Sequence, residues 1–242
     1  MPPQVERGDG YRTVLILGGG KYGTIALKRL QGRSEKIVVV DIDPNCQAGR
    51  YTERTISGNE EPGKGSSLVL SDGASFLSRM IDVGDVPDFV VLTIPKNVMA
   101  ALFISWTESL GMEVVFDTDW MLKVAENFPE KYIVAKDRTF GVLVASYARD
   151  HVCLDGCMQP EACPVTGERR KKPMIELAIS SVDGDFVRIF ESRLLESDVG
   201  GVEGKAVLEA YREFRSRAHK GMRLAIGTAC RCHAIVNFMR IA

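Results

Sequence analysis

An α/β fold is what this sequence predicts: a doubly wound parallel sheet followed by a smaller α+β domain. Three observations predict it. Short apolar, β-branched runs alternate with amphipathic stretches through the first half of the chain. Three glycines spaced G-x-G-x-x-G separate the first such run from the first amphipathic stretch, and an acid closes the second run. Further on, that alternation gives way to a polar tract rich in Cys and Pro, with no periodicity.

The elements follow in order. Residues 1–11, MPPQVERGDGY, lack an apolar stretch and read as a disordered lead rather than a secretory signal. Thr13 to Leu17 is the first buried strand. Gly18 would turn the chain off it, Gly20 would let a pyrophosphate approach the backbone, and Gly23 would let the new helix pack close to the sheet. That helix runs from about Lys21 to Leu30, with Ile25, Ala26 and Leu30 inward. Its first N–H groups lack internal partners and carry partial positive charge, which favours an anion. Ile37 to Val40 is the second strand. Asp41 ends it, eighteen residues beyond Gly23, where an acid would hydrogen-bond a ribose hydroxyl. Asp43 adds a second negative charge and no Arg follows directly, so a 2′-phosphate is disfavoured and NAD is expected over NADP.

A polar loop follows over residues 45–67, with a short helix near Ala48. Ser67 to Leu70 is a third strand, and Asp72 caps a helix from Gly73 to about Ile81. Asp88 to Ile94 is a fourth strand, which Pro95 ends at the carboxyl edge where ligands of open α/β sheets bind. Asn97 to Leu110 is a helix and Met112 to Phe116 a fifth strand of the same sheet. The nucleotide site is therefore expected to comprise Gly18, Gly19, Gly20, Lys21, Tyr22, Gly23, Asp41, Asp72, Ile94 and Pro95. The dinucleotide-binding domain spans 12–130 and the α+β domain 131–242.

In the second half, Trp120 to Asn127 reads as helix, and Tyr132 to Ala135 and Gly141 to Tyr147 as strands. Met174 to Ser180 and Phe186 to Glu191 read as a hairpin joined at Asp183-Gly184. Gly204 to His219 is an amphipathic helix. Met222 to Ile226 reads as a strand, and His233 to Ile241 as a strand or a closing helix.

Five of the six cysteines fall into two groups: Cys153, Cys157 and Cys163, and Cys230 with Cys232, followed by His233. A metal needs several deprotonated soft ligands on one point, and a folded-back loop plus a distant segment can supply them. A [4Fe–4S] cluster and zinc are both compatible with this spacing, and a redox-labile or buried unligated thiol set is the alternative. The basic run Arg169 to Lys172 would favour thiolates nearby, but itself reads as a solvated loop. Cys46 reads as an isolated thiol.

The stretches GGGKYG and VVVDIDP resemble the Rossmann nucleotide-binding domains of NAD-dependent oxidoreductases and the TrkA-N or RCK regulatory domains of potassium-uptake systems. The likeness covers roughly residues 12–116 and implies NAD binding on the glycine turn. Precorrin-2 dehydrogenases share the triple glycine but usually have alanine where this chain has Gly23. Spermidine-synthase-like SAM-binding proteins are similar in GGG, in the acid followed by Ile-Asp-Pro and in the pair Asp72-Gly73. Their catalytic acid follows the fourth strand, where this chain reads Leu92-Thr93-Ile94-Pro95.

Composition bounds the rest. The chain has 242 residues, 45% hydrophobic and 26% charged, with a net charge of −1. No global charge draws it to nucleic acid. No apolar run reaches the ~20 residues of a bilayer span. The protein is expected in the cytoplasm, where six cysteines point to metal or redox chemistry before structural disulfides. Asp117, Asp119, Asp137, Lys96 and Asn97 are weaker candidates for proton transfer or for the nicotinamide pocket, and no catalytic residue is identified. The expectation is an NAD-dependent oxidoreductase with a Cys-ligated metal. A non-enzymatic nucleotide and redox sensor is the first alternative and a SAM-dependent transferase the second. The expected partner is a small-molecule nucleotide, with a homodimer as the assembly and neither nucleic acid nor membrane involved.

Overall fold

Strand β1 (Tyr11–Leu17) is wholly buried from Val14 to Leu17 in the computed structural model, which describes residues 10–57 and 60–242. Val14 and Ile16 face helix α1 (Lys21–Leu30) through its Ala26, Leu27 and Leu30. On the other face, Leu17 packs under Gly73, where helix α2 (Gly73–Val83) begins. A strand buried on both faces must be apolar at every position, which is why the run shows no alternation.

Two units divide the chain: residues 1–95 with 194–205, and residues 96–193 with 206–242. The first is built on a seven-stranded sheet. Around β1 lie β2 (Ser34–Asp41), β3 (Arg54–Ile56), β4 (Gly65–Leu70) and β5 (Phe89–Leu92), all parallel, in the order β5-β1-β2-β4-β3. The order reverses at β1, whose neighbours are β2 and β5. Such a reversal opens a crevice at the carboxyl ends of the strands. Beyond β5 the sheet gains two strands from far along the chain, β10 (Arg193–Glu196) and β11 (Val199–Glu203). Strand β11 runs antiparallel to β5, with Val202 opposite Val90. Arg29 pairs with Asp198 at 3.1 Å and Arg33 with Glu196, tying this addition to the end of α1 and the turn after it.

The second unit is mostly antiparallel. Strands β7 (Ile133–Asp137), β8 (Val142–Ser146), β13 (His233–Ile241), β12 (Arg223–Ala229) and β9 (Phe186–Glu191) follow one another in that order, with only the β12–β9 pair parallel. Strand β6 (Val114–Phe116) takes over from β8 along the far part of β13. Helix α3 (Val98–Ser109) supplies Phe103, whose ring meets those of Trp106, Phe186 and Phe214, the last from α6 (Gly204–Arg217). Helix α4 (Thr118–Asn127) sets Trp120 edge-on to Phe238.

Several sequence expectations change. Val114–Phe116 is a strand, but it joins the second sheet instead of extending the parallel one. The division between units falls after residue 95, where the sequence reading placed the change near residue 130. The second unit is the larger of the two. Residues 174–181 form helix α5 (Met174–Ser181), not one arm of a hairpin. Met174 and Ala178, four apart, are buried on one face while Ile179 is 51% exposed, the pattern of a helix. The expected lead over 1–11 lies outside the described residues as far as residue 9, and Tyr11 already belongs to β1. Among the described residues no helix is long and apolar enough to cross a membrane.

Candidate functional site

In the glycine turn after β1, Gly18 makes the expected turn and Gly23 the expected close approach. Gly18 sits at φ +108°, a conformation that an L side chain rarely adopts. A Cβ on Gly23 would overlap the Gly18 carbonyl oxygen, so the helix can approach only without one. Gly20 is exposed, and a Cβ there would meet nothing within 4 Å. It is the N-cap of α1, yet no side chain caps the helix and no acid stands in its first turn. The start of α1 thus has neither a capping side chain nor an acid of its first turn to answer its N–H groups.

Asp41 stands at the edge of this turn. Its Oδ2 accepts from the Gly19 N–H at 2.5 Å and its Oδ1 from the Asp43 N–H at 2.9 Å. Each carboxylate oxygen keeps a second acceptor position. The Thr93 hydroxyl, just past β5, donates to the Leu17 and Gly18 carbonyls, both at 2.9 Å. Cys46 is a free, buried thiol packed against this turn. Its sulfur lies so close to Gly19 that a Cβ at that glycine would overlap it. The next turn of chain holds the same place, the Ala48 N–H donating to the Gly19 carbonyl at 2.8 Å. Burial first, then the charges of Asp41 and Asp43, push the Cys46 thiol up from its ordinary range. Lys21 and Tyr22 are exposed beside the turn, and Ile42, the residue after Asp41, is 77% exposed.

Other expected residues have structural occupations. Asp72 accepts from the Ser75 N–H at 2.9 Å as the cap of α2. Ile94 reaches Gly73 with its Cδ1, and Pro95 follows it in the chain. Asn97 caps α3 and donates to the Ile226 carbonyl and the Asn237 side chain, at 3.0 and 2.9 Å. Asp117 caps α4, and Asp137 accepts from the Thr139 and Phe140 N–H groups.

The second candidate site lies wholly within the second unit. From Tyr147 to Pro173 the chain forms no regular helix or long strand, and it is sewn to the β12–β13 turn. The Tyr147 N–H donates to the Cys232 carbonyl, Met174 to that of Arg231 and Ile175 to that of Cys230. This brings the two cysteine groups together. Cys153 Sγ is 3.2 Å from His233 Nε2, and Cys230 Sγ is 3.6 Å from His233 Nδ1. Cys230 also accepts from two backbone N–H groups, Cys232 and His233, both at 3.3 Å.

These contacts set the thiol chemistry. The hydrogen bond from the Cys232 thiol, together with His233 and the backbone N–H of Cys232, pulls Cys230 down to about 4 despite its burial. Cys232 is pushed up by the same hydrogen bond and by burial. Burial raises Cys163 as well, but hydrogen bonds from the Thr166 hydroxyl and from the Thr166 and Val165 N–H groups outweigh it, leaving that thiol lowered. Cys153 goes up by burial and by the charges of Cys157, Cys163 and Cys230. Among the described residues no group of three or more His, Cys, Asp or Glu side chains stands ready to hold a metal ion.

Sequence reasoning missed one residue here. Arg170 belongs to a basic run that reads as solvated, yet its side chain is only 8% exposed. Its Nε and Nη2 have no hydrogen-bond partner. Its charge bears on Cys153, Cys163 and Cys232. A run of four cations gives no sign of which one turns inward.

Comparison with known proteins places the chain. Residues 14–95 match a family model described as "Uncharacterized protein, N-terminal domain", and residues 99–242 match its C-terminal-domain counterpart. An "Uncharacterized protein" of Archaeoglobus fulgidus is 31% identical over 232 residues, 94% of this chain and 99% of that one. The chain belongs to the AF_1314 family.

Membership in the AF_1314 family corrects the resemblance drawn from GGGKYG and VVVDIDP. The family shown is AF_1314, not one of those the two stretches resemble, and its relatedness extends over both units. Gly18 and Gly23 are required by backbone geometry where a strand meets a helix, and unrelated families share such a turn. A solved structure from Porphyromonas gingivalis W83, provisionally described as a methyltransferase, aligns with 96% of this chain and 78% of its own at 10% identity and a TM-score of 0.26. A likeness that weak informs neither fold nor function.

Proposed function

We propose that the first unit of this AF_1314-family protein binds NAD(H) at the glycine turn, and that the second holds a thiolate-bound metal, zinc or a [4Fe–4S] cluster, in an oxidoreductase. The observation that carries the nucleotide reading is the space above Gly20. A Cβ there has no neighbour within 4 Å, although Gly18 and Gly23 on either side are fixed by backbone strain and close approach. A folding role explains the outer glycines but not the middle one. A diphosphate on the uncapped start of α1 explains all three. The remaining acceptor positions of Asp41 suit ribose hydroxyls, and the exposed Ile42 beside it offers an apolar surface for adenine.

The metal reading is supported by the donor set. Cys153, Cys157, Cys163, Cys230, Cys232 and His233 are soft ligands; the Cys232 thiol and His233 lower Cys230 to about 4, and hydrogen bonds from Thr166 and Val165 lower Cys163. When bound, the metal would supply electron transfer as an iron–sulfur cluster, or Lewis acidity as zinc.

Calorimetric titration of the full chain with NADH, NADPH and SAM tests the nucleotide reading. NADH is expected to bind more tightly than NADPH. Gly20→Ala is expected to weaken NADH by about tenfold or more, roughly 1.4 kcal/mol, while its thermal midpoint stays unchanged, because the added methyl meets nothing in the protein. Equal NADH binding by Gly20→Ala would remove the diphosphate from this turn. SAM binding without NADH binding would replace the cofactor.

A further inference from the structure

We propose that Arg170 is the built-in counter-cation of the thiolate site, so that the centre it serves carries net negative charge, as a four-thiolate zinc or a cysteine-ligated [4Fe–4S] cluster does. This rests on the metal reading above and deepens it. The argument starts from burial. A guanidinium cannot shed its proton, so a buried one must find an anion. Arg170 is 92% removed from solvent by its 8% exposure, and its Nε and Nη2 donate to nothing among the described residues. No carboxylate answers it there. Glu168, two residues away, is taken up by Lys131 at 2.8 Å and Arg149 at 3.0 Å, and Glu161 pairs with Arg169 at 3.8 Å.

Its charge reaches the Tyr147 phenol, a neutral group, and three sulfurs, those of Cys153, Cys163 and Cys232. The local backbone fixes this arrangement. The Arg170 N–H donates to the Glu161 carbonyl, the Cys163 N–H to that of Glu168, and Ala162 bridges Arg169. Cys163 and Arg170 thus stand on facing arms of one short turn, the anion source and the cation held together by the same ladder. A neutral donor set such as two cysteinates and two histidines on zinc would not need this cation. A set of four cysteinates would, because it carries a charge of −2 in either metal form.

The test uses the full chain stripped of metal. Wild type, Arg170→Met, Arg170→Lys and the exposed control Arg169→Met are titrated with Zn²⁺ against a chromophoric chelator. They are also reconstituted anaerobically with ferric iron, dithiothreitol and sulfide, and metal is counted by mass spectrometry. Arg170→Met is expected to lose about 10–100-fold in affinity for the metal that wild type takes. Arg170→Lys is expected to retain more, and Arg169→Met to match wild type. The metal-free Arg170→Met should melt no lower than metal-free wild type, since it has lost an unpaired charge. A merely structural arginine would lower that melting point. Arg170→Met binding as tightly as wild type, or melting lower without metal, overturns the role of Arg170 alone. Wild type taking up neither zinc nor iron overturns the metal reading and Arg170 with it.

Discussion

The glycine turn and the cysteine loop use the same instrument in opposite directions. In both, backbone N–H groups that regular structure leaves unpaired are gathered at one place. At the start of α1 no side chain caps them, and Gly20 leaves the space beside it open. Around Cys163 and Cys230 they point inward, onto the chain's own sulfurs. The first site is built by leaving side chains out and the second by holding side chains in. A site of the first kind keeps its fold when its open position changes and loses it when a packed one does. A site of the second kind should show its state in the reactivity of its thiols.

The largest effect is expected at the packed edge of the glycine turn. Gly23→Ala forces a methyl group into the Gly18 carbonyl, and should cost about 3 kcal/mol or more of stability. Urea denaturation measures it, and a variant as stable as wild type would mean that α1 can move away from the sheet. Asp41→Ala comes next. Because Asp41 accepts from the Gly19 and Asp43 N–H groups, its loss should lower stability by about 1–3 kcal/mol, visible in the same experiment, as well as weaken NADH. A fall in affinity with unchanged stability would give Asp41 to the ligand alone. The smallest effect concerns the thiols of the metal-free protein. Cys230, lowered to about 4, is a thiolate throughout the neutral range. Its alkylation by iodoacetamide should hardly change between pH 6 and pH 8. Cys153 is raised above its usual range, so it stays a thiol there and its rate should climb about tenfold per pH unit. Mass-spectrometric mapping of the labelled cysteines reads both, and parallel pH profiles would remove the distinction between them.

How much of this was legible follows from how local each signal is. The run Val14 to Leu17, the three glycines and Asp41 are neighbours in sequence, so strand, turn and helix could be read directly, and α1 has the expected bounds Lys21–Leu30. Residues 174–181 misled because Met-Ile-Glu-Leu-Ala suits a strand or a helix. What decides is Met174 and Ala178 entering the same core, a tertiary fact. Val114–Phe116 is too short to declare its sheet, and its partner is the last strand of the chain. The cysteine spacing brought into view two groups that the fold places together. The N–H groups aimed at Cys163 and the inward turn of Arg170 depend on a loop without periodicity, and no pattern announces them.

The segment 194–205 carries a practical consequence. The family's N-terminal domain match stops at residue 95, yet two strands of that unit's sheet are encoded a hundred residues later. A gene fragment cut after residue 95 would strip β5 of the neighbour that covers Val90 and Phe89. The result would be a naked, sticky sheet margin prone to self-association. Anyone wishing to isolate the first unit should splice the late hairpin back onto it, not trim the chain where the family's N-terminal domain match ends.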